Sequence, residues 1–316
     1  MILPVLTKRR FINRIWVAET NYWVIKMKAY LALLVGIVSV SFAAIFIRLA
    51  EAPPLVIAAY RLTIASLVLI PLAYKKTIPG MKRLSGRDGL LLLLSSFFLA
   101  LHFGLWITSL SYTSIASSVI LVTCHPAFVA VISYFLWHEV LNRLTIGGMV
   151  VAFMGIVLVN YSGFAFGSRA ILGDVLALVA SFAMGGYLII GGQLKARIEI
   201  LPYLTIIYTG AAVILLLATA GFGYSFTGYS GTTYLMMVLL ALVPQLIGHS
   251  SFNLAVRLIP VTFVSVAILG EPVGATLLGY FILNEVPTAK ELIGGILILA
   301  GIFIVLRQTP RYLGTK

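Results

Sequence analysis

The chain is predicted to be an all-α integral membrane protein, with ten transmembrane helices arranged as two inverted five-helix repeats. Three observations predict this: the composition, the length and spacing of the apolar runs, and a second copy of one half of the sequence. Of 316 residues, 61% are hydrophobic and 10% charged, against about 45–50% and ~25% in soluble domains; mean hydropathy is +1.09. A spanning helix needs roughly 20 apolar residues to cross about 30 Å of hydrocarbon. Barrel strands alternate in polarity and are about half that length, so continuous runs of this size are helices. Pro126, Tyr134, Phe135, Glu139, Gly148 and Gly155 recur at a constant offset of 146, without a gap, as Pro272, Tyr280, Phe281, Glu285, Gly294 and Gly301. Five spans per copy is an odd number, so the second copy must enter the membrane in the opposite sense to the first.

The ten runs follow in order. The first, about 29–50, comes after Lys26 and Lys28, and the second, about 55–74, stops at Lys75 and Lys76. The third, about 89–109, follows Arg87 and Asp88; the fourth, about 113–136, carries Pro126 at mid-span; the fifth, about 144–161, follows Arg143. The sixth, about 172–193, lies between Arg169 and Lys195, and the seventh, about 201–221, follows Glu199. The eighth, about 232–253, contains Pro244 and precedes Arg257; the ninth, about 259–283, contains Pro272; the tenth, about 290–307, runs from Lys290 to Arg307. With both termini inside, 18 of the 22 Lys and Arg residues fall on the cytoplasmic side, the bias that orients membrane proteins. Adding or dropping one span would scatter them. The net charge of +13 thus belongs to a membrane rim and not to a basic patch for nucleic acid.

The organisation expected is a cytoplasmic tail over 1–27, a first repeat over 28–162, a second over 170–307 and a cytoplasmic tail over 308–316. The first tail lacks a signal peptide's long apolar core. Its Phe11, Ile15, Trp16, Tyr22 and Trp23 suit either a plain tail or an interfacial amphipathic helix, and Met27-Lys28 is an alternative start. The single cysteine, Cys124, allows no intrachain disulfide and no Cys-based metal motif. The expected location is the plasma membrane, multi-pass.

The run His125-Pro126-Ala127-Phe128 through Trp137-His138-Glu139-Val140, followed by Gly148 and Gly155, resembles the EamA domain of the drug/metabolite transporter superfamily. So does the second copy, with Glu271-Pro272-Val273, Gly279-Tyr280, Asn284-Glu285, Gly294-Gly295 and Gly301. The resemblance covers roughly 28–307 and implies two tandem five-span units that carry amino acids, other metabolites or drugs. The first copy has His125 where the second has Glu271, so a symmetric pair of acids is not implied.

Glu271 is the one acid at mid-membrane depth, and such a charge normally faces the bundle interior or a wet cavity. It is read either as a proton or cation site, or as a packing residue whose face, with Ala267, Gly274 and Ala275, admits a neighbouring helix. His125, its repeat mate, is expected to meet it near the membrane centre, as a proton or zwitterion ligand or as a packing residue. His102 and His249 are weaker candidates. Arg61, well inside span 2, either snorkels to the interface, docks a substrate carboxylate, or pairs with Glu271. Trp106 is expected to be a cavity wall. Pro126 and Pro272 free the carbonyls of Val122 and Ile268, and Pro244 offers a similar kink; broken helices at a repeat interface point to a binding site. The paired glycines of spans 5 and 10 read as packing seams.

These readings predict a secondary transporter, an exporter of small metabolites such as amino acids, working by alternating access with proton coupling through Glu271. A drug or lipid exporter or facilitator of the same fold is the alternative, and a membrane-embedded enzyme is the rival class. No phosphate loop of the form GxxxxGK[ST] occurs, which excludes direct ATP drive by this chain alone. No two histidines stand at i, i+4 with a carboxylate, so neither metal nor cofactor is expected. The expected partners are a small-molecule substrate and the lipid bilayer, without nucleic acid; a homodimer is left open.

Overall fold

The computed structural model describes residues 23–81, 84–113, 115–160, 168–284 and 286–308. The readings on the N-terminal tail up to Tyr22, on Glu285 and on the C-terminal tail beyond Gln308 lie outside the described residues. In chain order the helices are α1 (Trp23–Leu49), α2 (Pro54–Met81), α3 (Gly86–Ser109), α4 (Ile115–Val122 and His125–Trp137), α5 (Arg143–Asn160), α6 (Ser168–Leu194), α7 (Ile200–Gly221), α8 (Gly231–Leu258), α9 (Val261–Ile268 and Glu271–Leu283) and α10 (Ala289–Arg307). Among the described residues nine helices are long and apolar enough to cross a membrane, and Arg143–Val159 of α5 is a shorter apolar helix. With 18 residues, α5 is about 27 Å long, just under the ~30 Å of a hydrocarbon core.

Local chemistry sets the ends. Ser85 caps α3, its Oγ accepting from Asp88 N while Asp88 Oδ2 accepts from Ser85 N, both at 3.2 Å. Thr288 and Glu291 cap α10 in the same reciprocal way, so each helix start has two otherwise orphaned donors satisfied. α4 and α9 stop at left-handed residues, His138 with φ 53° and Asn284 with φ 56°. Their amides turn back to Ser133 O and Gly279 O, a common C-terminal closure. These pairs are 146 residues apart. The same offset separates the helix starts Pro54 and Ile200, His125 and Glu271, and Arg143 and Ala289, and the ends Val122 and Ile268. The duplication in the sequence is therefore a duplication of element boundaries.

Repeat mates pack side by side and antiparallel. A Cβ on Gly148 would lie 2.9 Å from Gly301 O, and one on Gly155 would lie 2.6 Å from Gly294 O. Ascending α5 thus descends α10, with backbone against backbone along the glycine seam. α2 and α7 run the same way: Thr219 Oγ1 donates to Leu55 O at 3.2 Å at one end, and Lys76 pairs with Glu199 at 3.3 Å at the other. α6 lies innermost, against α3, α4 and α8. Leu67, Leu72, Phe135, Leu217 and Phe281 stand exposed on the outer surface, where acyl chains solvate them at no hydrophobic cost.

α4 and α9 are each broken at mid-length, by turns at 123–124 and 269–270. Pro126 and Pro272 occupy the second position of the helix that follows each turn, where a missing N–H is harmless. Of the carbonyls expected to be freed, Val122 O accepts from His125 Nδ1 at 3.2 Å. α8 behaves differently: around Pro244 it widens into a π-helical segment, Ala241–His249. The wider turn carries the preceding carbonyl away from the proline ring, so the helix continues where a simple kink was expected.

Candidate functional site

Where the two broken helices meet α1, α2, α3 and α8, the bundle encloses a cavity of about 450 Å³. Its lining runs from mid-helix positions to one end of the bundle, at Arg48, Leu110, Val159 and Glu291. Glu271, His125, Arg61, Trp106, His102 and His249 all line it, as does Pro272; Pro126 and Pro244 do not.

Arg61, from α2, is 1% exposed, so it does not snorkel. Its Nε donates to Gln245 Oε1 at 2.8 Å, and its Cζ sits 4.0 Å from the centre of the Phe103 ring. The two remaining nitrogens, Nη1 and Nη2, are buried without a partner. No carboxylate approaches them within ion-pairing distance among the described residues, so the expected pair with Glu271 is not made.

The aromatic wall comes from α3 and α8. His102 stacks on Trp106, with ring centres 6.0 Å apart and planes 12° apart, and its edge meets Phe103. His249 meets both Phe103 and Phe252 edge-on. His102 Nδ1 faces Ala180 O at 3.0 Å and His125 Nδ1 faces Val122 O. A carbonyl only accepts, so each neutral ring carries its proton on Nδ1 and presents Nε2 as an acceptor. His125 Nε2, His249 Nδ1 and Trp106 Nε1 are buried without partners. Native interiors leave few such groups unpaired; here His125, His249, Trp106 and Arg61 all line one cavity, which can offer them a polar partner.

Glu271 and His125 each open the helix after a break, so two half-helix N-termini, with their partial positive charge, adjoin the cavity. A hydrogen bond from Ser41 Oγ to Glu271 O, at 3.2 Å, holds this turn against α1. A Cβ on Gly274 would meet Ser41 Oγ at 2.0 Å; the small residue does let a helix approach, while the Glu271 side chain itself faces the cavity.

Toward the opposite end the bundle is packed shut. Tyr187, Tyr203 and Tyr208 are fully buried. Tyr203 bonds Ser95 at 3.2 Å, Asn253 Nδ2 donates to Tyr187 Oη, and Tyr208 Oη donates to Gln245 O at 3.4 Å. Beyond them Arg197 pairs with Asp88 at 2.6 Å, and Thr262 donates to Glu139 Oε2 at 3.2 Å. Burial pushes the Glu139 carboxyl up from 4.5, against the opposing pull of Thr262 and the Lys195 charge; burial likewise pulls Lys195 down from 10.5. A raised carboxyl contributes stability that is complete below its ordinary value and is lost as pH rises through its native one. Thermal stability should therefore decline as pH rises from 4.5 through the raised Glu139 value, and Glu139→Gln should flatten that part of a melting-temperature profile. An unchanged slope would place the charge in water.

Sequence reasoning did not single out Gln245 as the residue that holds Arg61, although a polar side chain in an apolar span is a recognisable signal. Phe103 gave no signal at all, since an aromatic in a membrane helix faces lipid as often as a cavity. Of the other aromatics, Tyr60 donates to Phe226 O at 2.6 Å, and Tyr134 and Tyr280 are exposed.

The EamA-like transporter family profile matches residues 27–161 and 171–307. An uncharacterized transporter of Archaeoglobus fulgidus is 28% identical over 88% of this chain and 96% of its own length. The uncharacterized transporter YdfC of Bacillus subtilis is 22% identical over 86% of this chain and 88% of its own. A solved crystal structure superposes with a TM-score of 0.78 at 19% identity, over 90% of this chain and 99% of that one; at such identity the likeness concerns the fold alone.

Proposed function

We propose, from the premise that the chain belongs to the EamA-like transporter family, that this multi-pass membrane transporter is a secondary carrier exporting small metabolites, amino acids among them, by alternating access, with Glu271 as its proton-coupling group. The observation that carries the reading is the cavity: a mid-bundle chamber reached from one end, with Glu271, Arg61 and three histidines on its inner wall and Arg48 and Glu291 at its open end. Ten spans in two inverted units, 28–162 and 170–307, are supported by the antiparallel packing of the repeat mates α5 and α10 and of α2 and α7. The 18 of 22 basic residues on one side favour cytoplasmic termini in the plasma membrane. In that orientation the open end faces outward and the tyrosine layer closes the cytoplasmic side. Rocking the two halves about the chamber would exchange the two closures. Charged groups at the wall favour a polar metabolite over a drug or lipid.

The test is counterflow in proteoliposomes with a panel of radiolabelled amino acids and related metabolites, with and without a pH gradient. Accumulation of at least one panel member that follows the gradient is the expected result. Flux indifferent to the gradient would make the protein a facilitator, and silence across the panel from folded protein would reject small polar metabolites as cargo.

A further inference from the structure

We propose that Arg61 is the anchor for a substrate carboxylate, so that the cavity takes a monoanion or zwitterion with one carboxylate and an apolar body. The inference rests on the transporter reading and names the substrate chemistry of that site.

Arg61 is a buried cation whose guanidinium is only half used. Nε is committed to Gln245 Oε1 at 2.8 Å, and the Phe103 ring covers one face at 4.0 Å. Held along one edge and one face, the group is pre-oriented. What remains is the Nη1 and Nη2 pair, both buried and unpartnered, on a side chain that lines the cavity. That end-on pair of parallel N–H groups matches the two oxygens of a carboxylate. Trp106 Nε1, also buried, unpartnered and on the same wall, is a further donor. A donor with no acceptor in the protein is satisfied only by what enters the chamber.

Charge selects among anions. At the depth of Arg61 one fixed cation neutralises one negative charge, Arg48 standing at the open end, so a phosphate dianion there would leave an uncompensated charge in a low-dielectric chamber. The rest of the wall is mixed: Val40, Met184, Phe252 and Ile268 are apolar, while Glu271 and the acceptor nitrogen of His125 come from α9 and α4, helices other than that of the α2 cation. An ammonium group, if present, belongs beside those two. Gln245 is a positioning residue here, acting through Arg61.

The experiment is ligand-induced thermal stabilisation of the full chain in nanodiscs, with two matched probe sets. One is L-leucine, 4-methylpentanoate, leucinamide and isoamylamine; the other is L-phenylalanine, 3-phenylpropionate, phenylalaninamide and phenethylamine, with inorganic phosphate as an anion control. At least one carboxylate probe should bind about 30-fold or more tightly than its own amide and amine, as loss of a buried charge partner implies. Arg61→Gln should abolish that preference and Arg61→Lys should keep part of it. The wild-type probe series stands alone should Arg61→Gln not fold. Amides and amines binding as tightly as acids, or phosphate binding better, would overturn the carboxylate anchor yet leave the cavity as a binding site. Failure of all eight organic probes to bind would overturn the anchor, and active counterflow of other metabolites would then still uphold the transporter reading.

Discussion

Glu271→Gln should remove the pH-gradient dependence of transport while leaving insertion and thermal stability near wild type. The amide is nearly the same size as the carboxyl, and no described residue donates a hydrogen bond to that side chain, which lines the open chamber. Little packing is therefore lost. A coupling free energy of ~1–3 kcal/mol corresponds to about 5–150-fold, so gradient-driven accumulation should fall by that factor toward the level of counterflow, which the variant should retain. Accumulation against a gradient, compared with exchange at equal pH in the same vesicles, separates the two. If Glu271→Gln instead lowered the melting temperature and left the gradient response intact, Glu271 would be a packing residue and the proton site would have to be sought elsewhere in the chamber.

Gly301→Leu should be the most damaging substitution away from the chamber. Even a bare Cβ at this position would lie 2.5 Å from both Ala152 N and Gly148 O, and backbone cannot move aside as a side chain can. The α5–α10 seam would have to open. Overpacking a core typically costs ~1–3 kcal/mol; a leucine against backbone should reach or exceed the top of that range and sharply reduce the yield of folded protein. Gly147, one residue from the seam, has nothing within 4 Å of its Cβ position. Gly147→Ala should therefore be neutral or stabilising by up to ~1 kcal/mol through helix propensity alone. Melting curves of the pair decide whether the seam or a general dislike of larger residues in these helices is at work; equal behaviour would sink the seam.

Much of this molecule was written along the chain. Hydropathy marked each helix because lipid admits no unsatisfied backbone, and α5 has the 18 residues that its run suggested. The offset of 146 placed both breaks, and the structure repeats it to the residue at Val122 and Ile268 and at His138 and Asn284. An acid, a base and histidines inside apolar spans drew attention to Glu271, Arg61, His125, His102 and His249 because such groups are costly there. Gln245 stands in the polar stretch that follows Pro244, but nothing along the chain named it as the partner of Arg61. The cost argument had no way to find Phe103.

The sequence by itself determined which runs lie in lipid, where the two helices break, and that the chain is one unit used twice. These follow from local backbone preference and from transfer to lipid, which act residue by residue. Only the tertiary structure decided that Arg61 turns inward to Gln245 and Phe103 instead of reaching for the surface, that Glu271 makes no direct ion pair with it, and that the bundle is open at one end and closed by tyrosines at the other. Those outcomes depend on how each helix is rotated about its own axis, and rotation is set by packing against neighbours distant in the chain.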